Sequence, residues 1–213
     1  MDVLEALRTT GTCRYYTGEP VTDELLMEAF DAARFAPQGG NMQPVRWLVV
    51  RDRDKLKQLA EWYLEVWDVY VQQTTGPGGY LEGKPKTLKP ADDFARALPD
   101  IPALVVVCFN PAALYATDRE LDREPVVGGG SIYPTVQSFM LACRALGLGT
   151  AMTTLLVTRE PQVKELLTIP EHVATAAHVA VGHPARPWPT KLTRRPVEKL
   201  VYADTYGTQL SSA

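Results

Sequence analysis

The apolar positions along the chain predict an irregular mixture of helices and strands. Apolar side chains recur at three- and four-residue spacing in residues 23–33 and 54–71, which is the pattern of helices that bury one face. The runs Val45–Val50 and Ala103–Phe109 are short and apolar, as is expected of strands, and the second has no polar position to face solvent. A last core strand is predicted over residues 174–181.

Residues at the ends of these segments predict where the helices begin and end. Thr22 is expected to cap the helix that follows it, because its hydroxyl can accept from a backbone N–H of the first turn. Ser131 is expected to cap a helix that runs to Leu146, in which Pro134 is tolerated because it falls in the first turn. Gly147 then ends this helix.

Residues 74–99 are rich in glycine, proline and lysine, which predicts a long segment without regular structure. Such segments are often lids or binding loops, and the alternative is a surface insertion. We therefore expect one domain over residues 1–213, in which residues 62–100 form a lid or insertion. Helices and strands follow no regular βαβ order, which predicts an α+β fold with a central sheet flanked by helices.

Composition and charge exclude several classes of protein. A net charge of -3 gives no basic surface for nucleic acid, so we expect no nucleic-acid partner. No apolar stretch reaches the roughly 20 residues of a membrane span, so we expect no membrane partner. The first residues lack the pattern of a signal peptide, and the three cysteines are odd in number and widely spaced. We expect a cytoplasmic protein with reduced thiols.

The spacing of the reactive residues disfavours three kinds of site. His172, His178 and His183 have no cysteine or acidic cluster at ligand spacing, so we expect no metal site. There is no G-x-S-x-G elbow, and Cys143 lies on the apolar stripe of its helix, where a core thiol is expected. Neither residues 128–131 nor residues 147–149 have the context of a P-loop or a dinucleotide fingerprint.

Two basic clusters could bind phosphate. Arg8, Thr12 and Arg14 lie close together near the start of the chain, and guanidinium groups form paired, charge-assisted hydrogen bonds with phosphate oxygens. Arg194 and Arg195 form the second cluster, after the last predicted strand. The alternative is a solvated helix end for the first cluster and ordinary surface charge for the second.

Two longer runs carry a more specific pattern. Residues 33–47 pass from a helix, through a loop with two prolines, two glycines, an asparagine and two glutamines, into an apolar strand. Residues 128–137 form a glycine-rich start of a helix, and residues 146–154 follow that helix with a Gly-Leu-Gly segment. In this order and at this separation, the runs resemble the nitroreductase family of FMN-dependent oxidoreductases.

The resemblance implies roles for the N-terminal cluster. The family binds FMN through a short Arg/Ser/Arg motif, in which Thr12 stands here at the serine position and Arg14 at the last basic position. The arginine that usually precedes the serine is absent, because this chain has Thr10 and Gly11, and Arg8 is the nearby basic residue that could replace it. Arg14 is also expected to stabilise negative charge on the reduced flavin ring.

The resemblance also assigns the other cofactor residues. The family's A-P-S-x-x-N-x-Q-P-W loop corresponds to residues 36–45, with Gln38 at the usual Ser and Val45 at the usual Trp. The residues of this loop expected to contact FMN are Pro37, Gln38, Gly39, Asn41 and Gln43. The residues after the Gly-Leu-Gly segment expected against the flavin ring are Met152, Thr153 and Thr154. Thr154 would donate to flavin N5 through its hydroxyl or its backbone N–H, and Arg194 and Arg195 would reach the phosphate.

The implied molecule is a homodimer with a central mixed sheet, an extended C-terminal tail and FMN at the subunit interface. NADH or NADPH would pass a hydride to flavin N5, and a nitroaromatic, a quinone or a similar small acceptor would then be reduced in a ping-pong mechanism. No essential side-chain acid or base is expected. Reductive dehalogenation or flavin fragmentation on the same scaffold is one alternative, and a flavin-binding module without turnover is another.

Overall fold

The computed structural model describes residues 1–75 and 88–210. Six helices in this part of the chain are α1 (Val3–Thr9), α2 (Asp23–Ala33), α3 (Arg53–Thr75), α4 (Leu88–Ala97), α5 (Tyr133–Ala145) and α6 (Glu160–Leu167). The strands described are β1 (Val45–Val50), β2 (Ala103–Phe109), β3 (Gly149–Thr153) and β4 (Ala174–Gly182). None of the described helices combines the length and the hydropathy that a bilayer-spanning segment requires.

The strands form one sheet in the order β1-β2-β4-β3. Each neighbouring pair is antiparallel, so the prediction of a mixed sheet is wrong for the strands that the structure describes. The three predicted strands are confirmed at β1, β2 and β4. The sequence pattern did not predict β3, which pairs with β4 at the edge of the sheet.

Helices cover both faces of the sheet. Leu104 and Val106 of β2 pack in a core with α3 and α4, whereas Val105 and Val107 pack in a second core with α2 and α5. This alternation follows from the two-residue period of a strand, and it buries β2 on both faces. The predicted α+β fold, a sheet between two helical layers, is confirmed.

The predicted helix ends are confirmed in two of three cases. Thr22 accepts a hydrogen bond from the backbone N–H of Leu25 at 3.4 Å, and Gly147 follows α5 with a φ of 83°. The prediction that Ser131 caps α5 is wrong, because Ser131 ends a 3-10 turn before the helix and makes no cap. Its hydroxyl instead accepts from the backbone N–H of Gly39 at 3.0 Å and joins the two motif runs.

The segment 74–99 contains regular structure, contrary to the prediction. Helix α3 continues to Thr75, and α4 occupies Leu88–Ala97 and buries Phe94. Pro90 falls in the first turn of α4, where a missing backbone N–H costs nothing, so the proline does not interrupt the helix. Residues 76–87 lie outside the described residues, and the assignment of residues 62–100 as a lid or insertion stays a prediction.

Candidate active site

A cavity of about 350 Å³ brings together two of the predicted motifs. We call it the β3 cavity, because residues at the end of β3 form one of its sides. The predicted cofactor residues that line it are Thr12, Arg14, Met152, Thr153 and Thr154. This volume lies at the lower end of the range for small-molecule sites in proteins.

Backbone contacts hold the N-terminal segment against β3. The N–H of Cys13 donates to the carbonyl of Thr150 at 2.8 Å, which places Thr12 and Arg14 on either side of this contact. A Cβ at Gly149 would lie 2.4 Å from Cys13 Sγ, so glycine is required for the segment to approach the strand this closely. In the Gly-Leu-Gly segment, Gly149 therefore has a packing role, whereas Gly147 makes the turn after α5.

Arg14 is half-buried at the edge of the β3 cavity. Within the described residues its guanidinium makes no hydrogen bond and no ion pair. A partly buried cation without a counter-ion is costly unless a ligand supplies negative charge. The cavity is therefore suited to an anionic or electron-rich ligand.

The two threonines at the end of β3 differ in their contacts. Thr153 Oγ1 accepts from the N–H of Leu155 at 3.3 Å and donates to the phenol oxygen of Tyr63 at 3.5 Å. The hydroxyl of Thr154 makes no hydrogen bond within the part of the chain described here, so it is free to donate to a ligand. Burial raises the pKa of Tyr63, which keeps this phenol protonated at neutral pH.

Aromatic side chains form the opposite wall of the β3 cavity. Tyr63, Trp67 and Tyr70 come from α3, and Phe94 comes from α4. The indole of Trp67 donates to the buried carboxylate of Asp92 at 2.9 Å, which fixes its ring. No motif in the sequence marks these four residues as part of a site. Their spacing on one helix face was visible, but the same spacing is typical of a buried core stripe.

The loop over residues 36–45 does not line the β3 cavity. Gln38 and Gln43 line a different cavity of about 330 Å³, beside α2. The loop has an unusual backbone, with positive φ at Gly40, Asn41 and Gln43, and it is tied to Ser131 through Gly39. Within the described residues, Gln38 Oε1 is buried without a hydrogen-bond partner. Pro37 and Asn41 are exposed beside it.

The remaining predicted basic residues do not meet the β3 cavity in one chain. Arg8 is exposed at the end of α1, and Arg194 and Arg195 are exposed in the tail. The guanidinium of Arg194 contacts the carbonyl of Thr193 at 2.9 Å. None of these three residues lines the β3 cavity or the cavity beside α2. A different arginine, Arg186, lines a further cavity beside Thr12, and no motif marked it in the sequence.

Two buried cysteines and a buried histidine outside the β3 cavity are neutral core groups. The described residues contain no group of three or more potential metal ligands. Burial raises the pKa of Cys108 to about 11 and that of Cys143 to about 12, so both are neutral core thiols at physiological pH. His178 is fully buried in β4, and burial lowers its pKa to about 4.

Comparison with known proteins places the chain in a family. The model of the nitroreductase family matches residues 7–183. This chain belongs to the nitroreductase family. Among its nitroreductase-family relatives, the FMN reductase (NAD(P)H) of Bacillus subtilis is 26% identical over 211 residues, which are 98% of this chain and 76% of that protein.

Solved structures confirm the nitroreductase fold. A structure from Desulfovibrio desulfuricans in complex with FMN matches with a TM-score of 0.68 at 23% identity, and the match covers 97% of this chain and 98% of that one. The NADPH:FMN oxidoreductase from Vibrio harveyi, complexed with NAD+, matches with a TM-score of 0.67 at 22% identity, and the match covers 95% of this chain and 77% of that one.

Proposed function

We propose that this chain is an FMN-dependent oxidoreductase that takes hydride from NADH or NADPH and reduces a nitroaromatic, a quinone or a similar small acceptor. The observation that carries the proposal is the convergence of Thr12 and Arg14 with residues 152–154 around the β3 cavity. Membership of the nitroreductase family supports it, as do relatives named as FMN reductase and NADPH-flavin oxidoreductase.

The residues of the β3 cavity fit FMN. Arg14 offers a guanidinium without a counter-ion, and Thr154 offers a hydroxyl without an internal partner among the described residues. Thr12 adds a second hydroxyl beside Arg14. Met152 and Thr153 supply the surface on which a planar ring can lie. Bound FMN would supply hydride transfer between the nicotinamide and the acceptor, while the protein supplies position and electrostatics.

Arg14 and Thr154 adjust the site for this chemistry. The guanidinium of Arg14 would stabilise negative charge on a bound flavin ring, and its partial burial would strengthen this interaction. Thr154 would donate a hydrogen bond to N5 of the bound flavin, from its hydroxyl or its backbone N–H. Tyr63 stays protonated and is held by Thr153, so it positions the wall and is not a base. Solvent supplies the protons in an open site.

The aromatic wall suits a planar acceptor. Tyr63 and Trp67 are stacked on each other, with ring centroids 6.4 Å apart and an interplanar angle of 8°, and with Phe94 they make this side of the cavity apolar. An apolar, aromatic-lined wall favours an aromatic ligand. The nicotinamide and the acceptor use this same space in turn, which is the basis of a ping-pong mechanism.

A second copy of the chain completes the site in this proposal. Within one chain, the loop with Gln38 and Gln43 lines a separate cavity from Thr12 and Arg14, although the family resemblance assigns both groups to FMN. A homodimer brings the loop of one chain to the β3 cavity of the other. Arg194 and Arg195 remain predicted phosphate contacts that the tail delivers in the dimer.

Steady-state kinetics tests the proposal. Initial rates are measured with NADH and with NADPH at several fixed concentrations of a benzoquinone and of a nitroaromatic. We expect parallel lines in double-reciprocal plots, because the nucleotide leaves before the acceptor enters. Arg14→Gln is expected to lower kcat with a smaller change in the KM of the acceptor. Intersecting lines contradict the shared cavity, and the absence of turnover with both nucleotides contradicts the oxidoreductase assignment.

A further inference from the structure

A second, smaller cavity of about 160 Å³ adjoins the β3 cavity. We call it the Arg186 cavity. It lies between residues 11–15 and the proline-rich turn of residues 184–189. Thr12 and Arg14 line both cavities, so the two cavities are neighbours. Its size suits a small anionic group and not a second ring system.

Backbone hydrogen bonds hold the proline-rich turn beside the N-terminal segment. The N–H of Ala185 donates to the carbonyl of Tyr15 at 2.9 Å, and the N–H of Thr17 donates to the carbonyl of His183 at 2.8 Å. A Cβ at Gly11 would lie 3.0 Å from the ring of Pro189, so the two segments are in direct contact. The prolines of this turn restrict its backbone, which keeps Arg186 near Thr12 at little entropic cost.

The guanidinium of Arg186 is stacked on an aromatic ring. Its central carbon lies 3.3 Å from the centroid of the Tyr15 ring, and the Tyr15 hydroxyl donates to Asp93 at 2.9 Å. Stacking holds the plane of the guanidinium and leaves its N–H edge available for a ligand. Within the described residues, Arg186 makes no ion pair, and Asp93 is paired with Lys89.

The Arg186 cavity therefore presents two guanidinium groups, Arg14 and Arg186, and the hydroxyl of Thr12. None of the residues that line it is acidic. Two cations at one small cavity repel each other unless an anion is bound there. Arg186 and Thr12 can bind a phosphate together, because a guanidinium forms paired, charge-assisted hydrogen bonds with its oxygens and a hydroxyl adds a donor. Thr10 and Gly11 stand where an arginine usually precedes the hydroxyl residue, so the N-terminal segment supplies only one of these cations.

We propose that Arg186 binds the phosphomonoester of a nucleotide ligand together with Thr12, and that it supplies the guanidinium that the N-terminal segment lacks. The proposal rests on the proposed function. Two ligands carry such a group, FMN at the end of its ribityl chain and NADPH at its 2′ position. Arg186, rather than Arg8, is the replacement, because both arginines are exposed but only Arg186 lines the cavity beside Thr12.

The test compares Arg186→Ala, Arg186→Lys and Arg8→Ala with the control Arg119→Ala, an exposed arginine that lines neither cavity. FMN release on dilution of each holoprotein is followed by flavin fluorescence and repeated after exchange into riboflavin, which lacks the phosphate. We expect Arg186→Ala to weaken FMN binding about ten- to a hundredfold. Riboflavin binding should stay within about threefold of wild type, and Arg186→Lys should recover part of the FMN affinity.

The KM values for NADPH and NADH separate the two ligands. Unchanged FMN affinity with a KM raised for NADPH alone assigns Arg186 to the 2′-phosphate. Equal losses for FMN and riboflavin, a larger loss in Arg8→Ala, or unchanged binding of both FMN and NADPH overturns the proposal. A wild-type chain without flavin contradicts the proposed function separately. Arg186 is then tested by the rise in melting temperature that inorganic phosphate causes relative to chloride of equal ionic strength. Arg186→Ala should abolish this rise, and a rise that persists in Arg186→Ala overturns the proposal.

Discussion

At the scale of single residues, His178 links the buried sheet to the pH dependence of stability. It lies in β4, directly opposite Thr153 of β3 and Val106 of β2. Neither ring nitrogen has a hydrogen-bond partner among the described residues, and burial lowers the pKa from 6.5 to about 4. The folded protein therefore holds this imidazole in its neutral form at physiological pH.

This burial predicts a loss of stability in mild acid. Between pH 6.5 and about 4 the unfolded chain binds a proton at His178 that the folded chain does not, so the free energy of unfolding falls as the pH falls. The full loss from this group is about 3 kcal/mol. Urea unfolding across this range measures it. His178→Leu should flatten this part of the profile, and an unchanged profile would show that other groups control it.

Residue by residue, local patterns could predict part of the site. Thr12, Arg14 and residues 152–154 carry family motifs, and the structure brings them together. Trp67 and Arg186 carry no motif. The position of Trp67 depends on its contact with α4, and that of Arg186 depends on the pairing of Tyr15 with the proline-rich turn. Both are contacts between distant parts of the chain, which local patterns do not reveal.

At the scale of elements, the close approach of β3 and the N-terminal segment is essential for the β3 cavity. Gly149→Ala would place a Cβ 2.4 Å from Cys13 Sγ and 2.6 Å from Cys13 Cβ. We expect this variant to lose about 1–3 kcal/mol of stability by overpacking and to bind FMN at least about tenfold more weakly. Flavin fluorescence and urea unfolding measure the two effects.

A second substitution identifies the cause. Cys13→Gly removes the two atoms that the new methyl group would overlap and leaves only an ordinary contact with the carbonyl oxygen of Gly182 at 3.5 Å, so the double variant should recover FMN binding relative to Gly149→Ala. Cys13→Gly alone is the matched control. Failure of the double variant to recover would mean that Gly149 acts through its own backbone and not through its contact with Cys13.

The contact between α3 and α4 predicts a different stability effect. Trp67 Nε1 and Arg96 Nε both donate to the buried carboxylate of Asp92, at 2.9 and 3.0 Å. Asp92→Ala leaves the buried indole N–H without this acceptor and should cost about 2 kcal/mol. Asp68→Ala removes only a half-exposed partner of Arg96 and should cost less than about 1 kcal/mol. Equal costs in urea unfolding would contradict the role of Asp92.

The same elements explain the limits of prediction from the sequence. Ala103–Phe109 and Asp23–Ala33 have strong local patterns, and both formed as predicted. Gly149–Thr153 is short and contains glycine and threonine, and it forms a strand because β4 pairs with it. Leu88–Ala97 contains a proline, which is a loop signal except in the first turn of a helix.

At the scale of the whole molecule, the exposed apolar tail supports a homodimer. Val197, Leu200, Tyr206 and Leu210 are more than half exposed in the single chain. Obligate dimers bury such surfaces over areas of about 2,000 Å² or more. The proposed second copy would cover the tail and bring the loop of residues 36–45 to the β3 cavity.

Charge placed in the tail tests this assembly. Val197→Asp and Leu200→Asp put a charge on the apolar side chains, and both should shift sedimentation from dimer to monomer and lower the FMN content. Lys199→Asp, at an exposed polar position between them, is the matched control and should leave the dimer intact. A wild-type chain that sediments as a monomer while retaining FMN contradicts the shared site.

The central claim is that the β3 cavity holds FMN and reduces it with a nicotinamide nucleotide. The most direct measurement is the visible absorption spectrum of the purified protein without oxygen, as NADH and NADPH are added in turn. We predict an oxidised flavin band that disappears with at least one nucleotide and returns when a quinone is added, and heat-released cofactor that chromatographs as FMN. A protein that binds no FMN, or a flavin band that neither nucleotide changes, would contradict the account.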